Sequence, residues 1–382
     1  MQTFPDVSHM LRTLRPDRPV YCVYPSVYRA STRRFIDGFP GRVLYAVKSN
    51  NEAPVLETLV AAGISHFDCA SLTEIEQARA AGESATCYFM NPVRLRGAAR
   101  EAQRRFGVRH FVVDHASGLA ALLDEIDAVR SVIFVRMAVS HGTARVDFST
   151  KFGAGHDETV ALLGMVADAG AEPALAFNVG SAIMSPAAFT HALTVAAKLL
   201  DKLPRRLRLV DIGGGFAHPY PGLDVPPLEE YFRAIREAPL PLATGGELLA
   251  EPGRALSAPG LSTVVQVLLR KDDRLYINDG MYGTFWDLRF DVQDRFASRS
   301  YREGVPLEGM QQAFRLFGPT CDSSDVLPGR VPLPRSIDRG DYIEFGETGA
   351  YSLSGRTDFN GFHSATIVGI DKPESAPPGL GP

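Results

Sequence analysis

Between residues 43 and 254 short apolar runs alternate with segments of helical spacing, and no other feature of the chain limits its fold as strongly. The β-type runs are Val43–Val47, His66–Cys69, Thr86–Phe89, His110–Val113, Val132–Val139, Ala174–Asn178, Leu207–Ile212 and Glu247–Ala250. Alanine- and leucine-rich stretches such as Pro186–Lys202 separate them, and Ser71, Asp114 and Ser117 suit helix N-caps. Eight βα units in about 210 residues predict a (β/α)8 barrel, with a doubly wound open sheet as the alternative. The active site of such a barrel forms at the C-terminal ends of its strands.

After Arg254 the pattern changes to alternating β-type runs, Leu261–Leu269, Arg274–Asn278, Tyr342–Phe345 and Ala365–Ile370, broken by Gly and Pro turns. These predict a second, mostly antiparallel β domain. Pro19–Tyr24 reads as a strand with no place in the eightfold count and is expected to join that domain, whereas residues 1–18 carry no strong period. The expected division is an N-terminal segment at 1–30, the barrel at 31–254, the β domain at 255–370 and a disordered Pro/Gly-rich tail at 371–382.

A length of 382 residues, 45% hydrophobic and 22% charged, suits a two-domain globular protein. The net charge of −4 offers no basic footprint for nucleic acid and no polybasic membrane patch. No apolar run approaches the roughly 18 residues of a membrane span. The four cysteines form no CxxC pair and the nine histidines fall in no zinc spacing, so no metal is expected and the thiols are expected to be reduced in a cytoplasmic protein.

Chemistry enters at strand ends. Lys48 closes the first apolar run; partial desolvation there would lower its pKa and free the amine to attack a carbonyl, although a strand-end lysine is commonly just a solvated edge residue. Asp211-Ile212-Gly213-Gly214-Gly215-Phe216 ends the seventh run, and a triple glycine lets backbone N–H groups approach an anion. The same run could be only a tight turn. It is no dinucleotide fingerprint, because His218 stands where the third glycine belongs. The eighth run ends in Glu251-Pro252-Gly253-Arg254, whose carboxylate could equally sit in water. A lysine, an anion cradle and a carboxylate at one rim are together what pyridoxal phosphate requires.

Tyr45-Ala46-Val47-Lys48, Phe67-Asp68-Cys69-Ala70-Ser71, Val179-Gly180-Ser181, Asp211 to Phe216, Glu251 to Arg254, Gly318-Pro319-Thr320-Cys321-Asp322 and Gly349-Ala350-Tyr351 resemble, in order, the motifs of the ornithine/lysine/diaminopimelate decarboxylases. The resemblance is closest to the ornithine enzymes and covers nearly the whole chain. It implies a pyridoxal 5'-phosphate enzyme of fold type III, a barrel plus a β domain, and a homodimer with shared active sites.

The resemblance implies that Lys48 forms the Schiff base and that Asp68 and Arg136 line the cofactor. It puts Asn178 at the ring face and Ser181, Gly213, Gly214, Gly215, Arg254 and Tyr351 at the phosphate. Glu251 would pair with the pyridinium nitrogen, and Cys321 or Lys48 would return a proton after CO2 is lost. Asp322, Asp291, Tyr282 and Phe359 would face the substrate. Carboxylates at Asp322 and Asp291 favour a distal ammonium, hence L-ornithine or L-lysine, whereas diaminopimelate enzymes carry glutamate at the position of Asp322. For Cys321 a small buried hydrophobe is the ordinary reading.

Two positions depart from the family. Asn178 replaces a histidine that stacks on the ring, a loss of about 1 kcal/mol by the scale of aromatic pairs, and Ala182 replaces a glutamine or cysteine. A decarboxylase for an unusual or modified amino acid in a secondary-metabolite or siderophore route is therefore the alternative, and His363 could supply a replacement imidazole. A racemase of the same fold would place arginine where Glu251 stands. A non-catalytic regulatory homologue would not be expected to keep Lys48, Glu251 and Cys321 together.

Overall fold

The computed structural model describes residues 1–139, 151–238, 240, 242–289, 296–364 and 366–371. Eight parallel strands close a barrel: Arg42–Val43 with Tyr45–Ala46, then His66–Cys69, Thr86–Phe89, His110–Val113, Val132–Met137, Glu172–Phe177, Leu209–Asp211 and Glu247–Ala250. The first strand is split at Leu44 and forms the seam. Its early half pairs with Glu247–Ala250 and its later half with His66–Cys69, so one strand bridges the two edges. The open-sheet alternative is thereby excluded.

Four of the eight strands have the bounds read from sequence. Val132–Met137 and Glu172–Phe177 end, respectively, two residues and one residue before expectation, and Leu209–Asp211 is shorter at both ends. Ser71 caps its helix by accepting from the Glu74 N–H at 3.2 Å. The cap of helix Ala116–Leu123 is neither Asp114 nor Ser117 but His115, whose Nδ1 accepts from Ser117 N at 3.1 Å. Asp114 instead accepts from Gly153 N at 3.0 Å.

Side-chain alternation explains how the barrel presents a site. Leu44, Tyr88, Val112, Phe134, Ala174, Ala176 and Leu249 pack together as the interior of the barrel. Strand side chains alternate faces, so residues two or four further along point into the same interior, one layer higher. Those positions are Ala46 and Lys48 after Leu44, Arg136 after Phe134, Asn178 after Ala176 and Glu251 after Leu249. On the second strand Asp68 pairs with Ala46, and on the seventh Asp211 follows inward-facing Leu209 by two residues.

The second sheet runs Gln2–Phe4, Ile367–Ile370, Val20–Val23, Leu261–Lys271, Arg274–Ile277, Gln311–Phe317, Val331–Pro334, with Ser298–Arg302, Val305–Pro306 and Tyr342–Phe345 branching from it. Six of its pairings are antiparallel, as expected for the domain as a whole, and three are parallel. Val20–Val23 takes its expected place there, between Leu261–Lys271 and Ile367–Ile370. Residues 1–18 are more ordered than their composition suggests. Gln2–Phe4 adds an edge strand, and helix Val7–Leu14, capped by Asp6, buries Val7, Met10 and Leu11.

Glu344 is fully buried in this sheet and accepts from Tyr24 Oη at 2.6 Å, Ser262 Oγ at 2.7 Å and Tyr301 Oη at 2.8 Å. Three donors offset its desolvation. Among the described residues no helix is long and apolar enough to cross a membrane. Most of the expected tail, from residue 372, lies outside the described residues.

Candidate active site

At the C-terminal rim of the barrel, Ala46, Lys48, Asn178, Gly180, Ser181, Ala182, Gly214, Gly215, Phe216, Glu251, Gly253, Arg254 and Tyr351 line one cleft. Lys48 sits in a single 3-10 turn, Val47–Ser49, just beyond its strand. Its Nζ donates to Asp68 Oδ2 at 2.6 Å; Asp68 is 2% exposed, while nearly half of the lysine side chain opens to the cleft. The expectation of a lowered lysine pKa is overturned. Burial does act downward, but the directly paired Asp68 carboxylate outweighs it and the ammonium is held above its ordinary range.

The opposite wall is acidic. Burial, reinforced by neighbouring Asp211 and Asp68, pushes the Glu251 carboxyl far above its usual range, with Lys48 and Arg136 opposing. Burial pushes Asp211 up to about 7, although its Oδ1 accepts from Gly213 N at 2.8 Å. Among the described residues its Oδ2 meets no donor other than the neighbouring Glu251 carboxyl. Burial and mutual repulsion thus favour retention of a proton on the pair. Asp211 was legible only as part of a motif, yet its place two residues after inward-facing Leu209 marks it as a rim residue. Arg136 is a half-buried cation lowered by desolvation, its guanidinium 5.2 Å above the Phe152 ring.

The glycine run forms a cradle for geometric reasons. Gly213 and Gly215 have φ of +70° and +97°, a region L residues avoid. Gly214 has no such φ, but a Cβ there would lie 2.6 Å from the Glu251 carbonyl oxygen. Phe216 then anchors the loop, 2% exposed, stacked on Phe189 at 4.7 Å and edge-on to Phe35 at 4.9 Å. Arg254 borders the cleft, with Nη1 3.1 Å from Tyr220 Oη, Nη2 3.0 Å from Asp287 Oδ2 and its guanidinium 4.9 Å above the Tyr351 ring. Gly214, Gly215, Ser181 and Arg254 line the same cleft as Lys48 and Glu251. This donor set fits pyridoxal phosphate.

Asn178 lines the cleft and its Oδ1 accepts from Gly180 N at 2.9 Å, which fixes the amide on the turn leading to Ser181. His363 is exposed and pairs with Asp358 at 2.5 Å. The remaining expected residues gather elsewhere. Tyr282 Oη donates to Asp322, the Tyr282 and Phe359 rings lie 4.6 Å apart, and the exposed Cys321 Sγ is 3.5 Å from Asn360 Oδ1. None of these four lines the lysine cleft. The Tyr282 hydroxyl, the Ser324 N–H and nearby Arg289 hold the Asp322 carboxyl below its usual range. Asp291 lies outside the described residues.

Residues 27–258 match the pyridoxal-binding domain of the pyridoxal-dependent decarboxylases. The chain is 34% identical to a lysine/ornithine decarboxylase of Selenomonas ruminantium over 87% of its own length and 85% of that protein's. Among solved structures it is similar to the lysine/ornithine decarboxylase of Vibrio vulnificus in complex with putrescine, at TM-score 0.82 and 27% identity, covering 95% of this chain and 98% of that one. It is also similar to the arginine decarboxylase of Paramecium bursaria Chlorella virus, at TM-score 0.84 and 26% identity, covering 95% and 99%. A barrel rim carrying a lysine, a glycine cradle and a buried acid pair thus coincides with sequence and fold likeness across the chain, which belongs to the pyridoxal-dependent decarboxylase family and is a pyridoxal-phosphate enzyme.

Proposed function

We propose that this enzyme decarboxylates a basic L-amino acid, L-ornithine to putrescine or L-lysine to cadaverine. The observation that carries the site reading is the single cleft that brings Lys48, held by Asp68, together with Glu251, Gly214, Gly215, Ser181 and Arg254. When bound, pyridoxal phosphate supplies the electron sink for the pair released as CO2 leaves. Lys48 would hold the cofactor through its Nζ, which Asp68 orients. The Glu251–Asp211 pair would keep a proton on the cofactor's ring, which would stabilise the negative charge that builds up as CO2 departs. The N–H groups of the glycine loop, Ser181 and Arg254 bind the phosphate, with Tyr351 beside them. Lys48, or Cys321 of a second copy, returns one proton to the substrate α-carbon and leaves the amine product.

The substrate end of this reading calls for a homodimer. Cys321, Asp322, Tyr282 and Phe359 form their own cluster away from Lys48, and Phe359 and Phe362 are about 40% exposed. Each copy would complete the other's cleft, with Asp322 receiving the distal ammonium. We assign the protein to the cytoplasm, where its four unpaired cysteines would stay reduced. One observation favours the alternative of a modified substrate: Arg289 lies 4.9 Å over the Tyr282 ring, so a cation already neighbours Asp322.

The test is product identification by mass spectrometry with the holoenzyme and separate enantiomers of ornithine, lysine, diaminopimelate and arginine. A diamine from L-ornithine or L-lysine, abolished together with visible absorption in Lys48→Ala, is expected. Asp322→Ala should raise KM for those substrates at least tenfold with cofactor affinity unchanged. Turnover of none of the four would move the assignment to a modified amino acid, and a Lys48→Ala variant that kept its visible absorption would refute the lysine assignment.

A further inference from the structure

His218 stands three residues beyond the glycine cradle, and Glu347 stands four residues before Tyr351. The structure brings them together across 129 residues, with His218 Nε2 3.1 Å from Glu347 Oε1 and the side chains only 9% and 1% exposed. Among the described residues the second carboxylate oxygen of Glu347 has no hydrogen-bond partner. A single contact to His218 thus restrains a carboxylate that burial would otherwise penalise.

That carboxylate belongs to a backbone held in an unusual shape. Glu347 and Tyr351 both adopt left-handed conformations, φ +59° and +61°, which side-chain-bearing residues disfavour. Between them, Thr348 N donates to Leu261 O at 3.0 Å and Gly349 N to Ala258 O at 3.2 Å. Gly349 packs so closely that a Cβ would meet the Ser257 carbonyl oxygen. The turn ends where Tyr351 N donates to Ser49 O at 2.6 Å, one residue past Lys48. On the other side, the His218 ring lies edge-on to Tyr220 at 4.8 Å, and Tyr220 contacts Arg254. The pair therefore ties together the loop that cradles an anion and the turn that delivers Tyr351 beneath Arg254.

We propose that His218 and Glu347 are a positioning pair for the phosphate end of the cofactor. Neither lines the cleft; they act by fixing Tyr351 and Arg254 relative to Gly213–Gly215. This rests on the reading of the cleft as the pyridoxal-phosphate site.

Its test compares dissociation constants of pyridoxal phosphate and of pyridoxal, which lacks the phosphate, for the apoprotein of the parent, His218→Leu, His218→Gln and Glu347→Ala. Leucine and glutamine have similar size, so a contrast between them reports the hydrogen bond and not the volume, even if a cavity variant folds poorly. The expected result is that His218→Leu and Glu347→Ala weaken pyridoxal phosphate at least tenfold and leave pyridoxal within twofold, with His218→Gln close to the parent. Equal weakening of both ligands, equal behaviour of the Leu and Gln variants, or no change at all would overturn the proposal. A parent protein that binds pyridoxal no more weakly than pyridoxal phosphate would instead overturn the placement of the phosphate in this cleft.

Discussion

Replacing Asp211 by asparagine probes the electrostatics of the cleft through the stability of the apoprotein. The folded-state pKa of Asp211 is about 7, against an ordinary value of 3.8, because burial disfavours its charged form. Between those values the folded protein holds a proton that the unfolded chain has released, so stability falls as pH rises from about 4 to about 7 and stays reduced above. At about 1.4 kcal/mol per pH unit the full loss is about 4 kcal/mol, of which about 3 kcal/mol accrues above pH 5. It belongs to the Asp211–Glu251 pair jointly.

Asparagine keeps the acceptor for Gly213 N and cannot ionise, and its amide can donate toward Glu251. The variant should therefore gain on the parent between pH 5 and pH 8 by about 3 kcal/mol. For 382 residues the unfolding entropy is about 0.8 kcal/mol/K, which makes this a relative rise in Tm of about 4 °C at pH 8. Differential scanning calorimetry of both apoproteins at the two pH values measures it. An identical Tm difference at pH 5 and pH 8, or one that turns against the variant as pH rises, would refute the reasoning.

Gly214→Ala should disable cofactor binding while Gly164→Ala, with open space around it and an ordinary backbone conformation, should not: the new methyl at 214 meets the Glu251 carbonyl and separates the cradle from the acid wall. Titration of pyridoxal phosphate should register at least a tenfold loss, and parent-like affinity would mean that the cradle does not form the anion end. Tyr24→Phe removes one of three hydroxyl donors from buried Glu344 and should cost about 1–3 kcal/mol in denaturant unfolding, with kcat unchanged. An unfolding free energy within 0.5 kcal/mol of the parent, on the scale of an ordinary surface substitution, would show that Glu344 is already neutral and satisfied without it.

The barrel was legible because its strands are short, apolar and bounded by turn residues; the sheet of the second domain was legible only where runs such as Tyr342–Phe345 are continuous. Ser298–Arg302 and Gln311–Phe317 carry arginines and glutamines on exposed faces, so their alternation is diluted. Helix Val7–Leu14 places Val7, Met10, Leu11 and Leu14 at helical spacing, a signal present but short. The cap at His115 depends on an imidazole nitrogen accepting a backbone proton, which residue type alone does not announce. Within the site, motif residues were readable one by one. What sequence could not supply was their mutual charge: Lys48 is held charged by Asp68 from the second strand, while burial disfavours charge on Glu251 of the eighth, a balance that exists only after the barrel closes.

The position of Val20–Val23 has a consequence for how the chain is made. Its neighbours in the sheet, Leu261–Lys271 and Ile367–Ile370, leave the ribosome far later than it does. At about 5–20 residues per second the first of them follows after roughly ten to fifty seconds. Barrel strands, by contrast, meet their neighbours within one βα unit, apart from the seam. During that interval Val20-Tyr21-Cys22-Val23, fully apolar in the finished sheet, is an unpaired edge with the composition of an aggregation-prone segment. The nascent barrel can mature as it emerges, while the second sheet assembles in one late step around a strand that has waited for it.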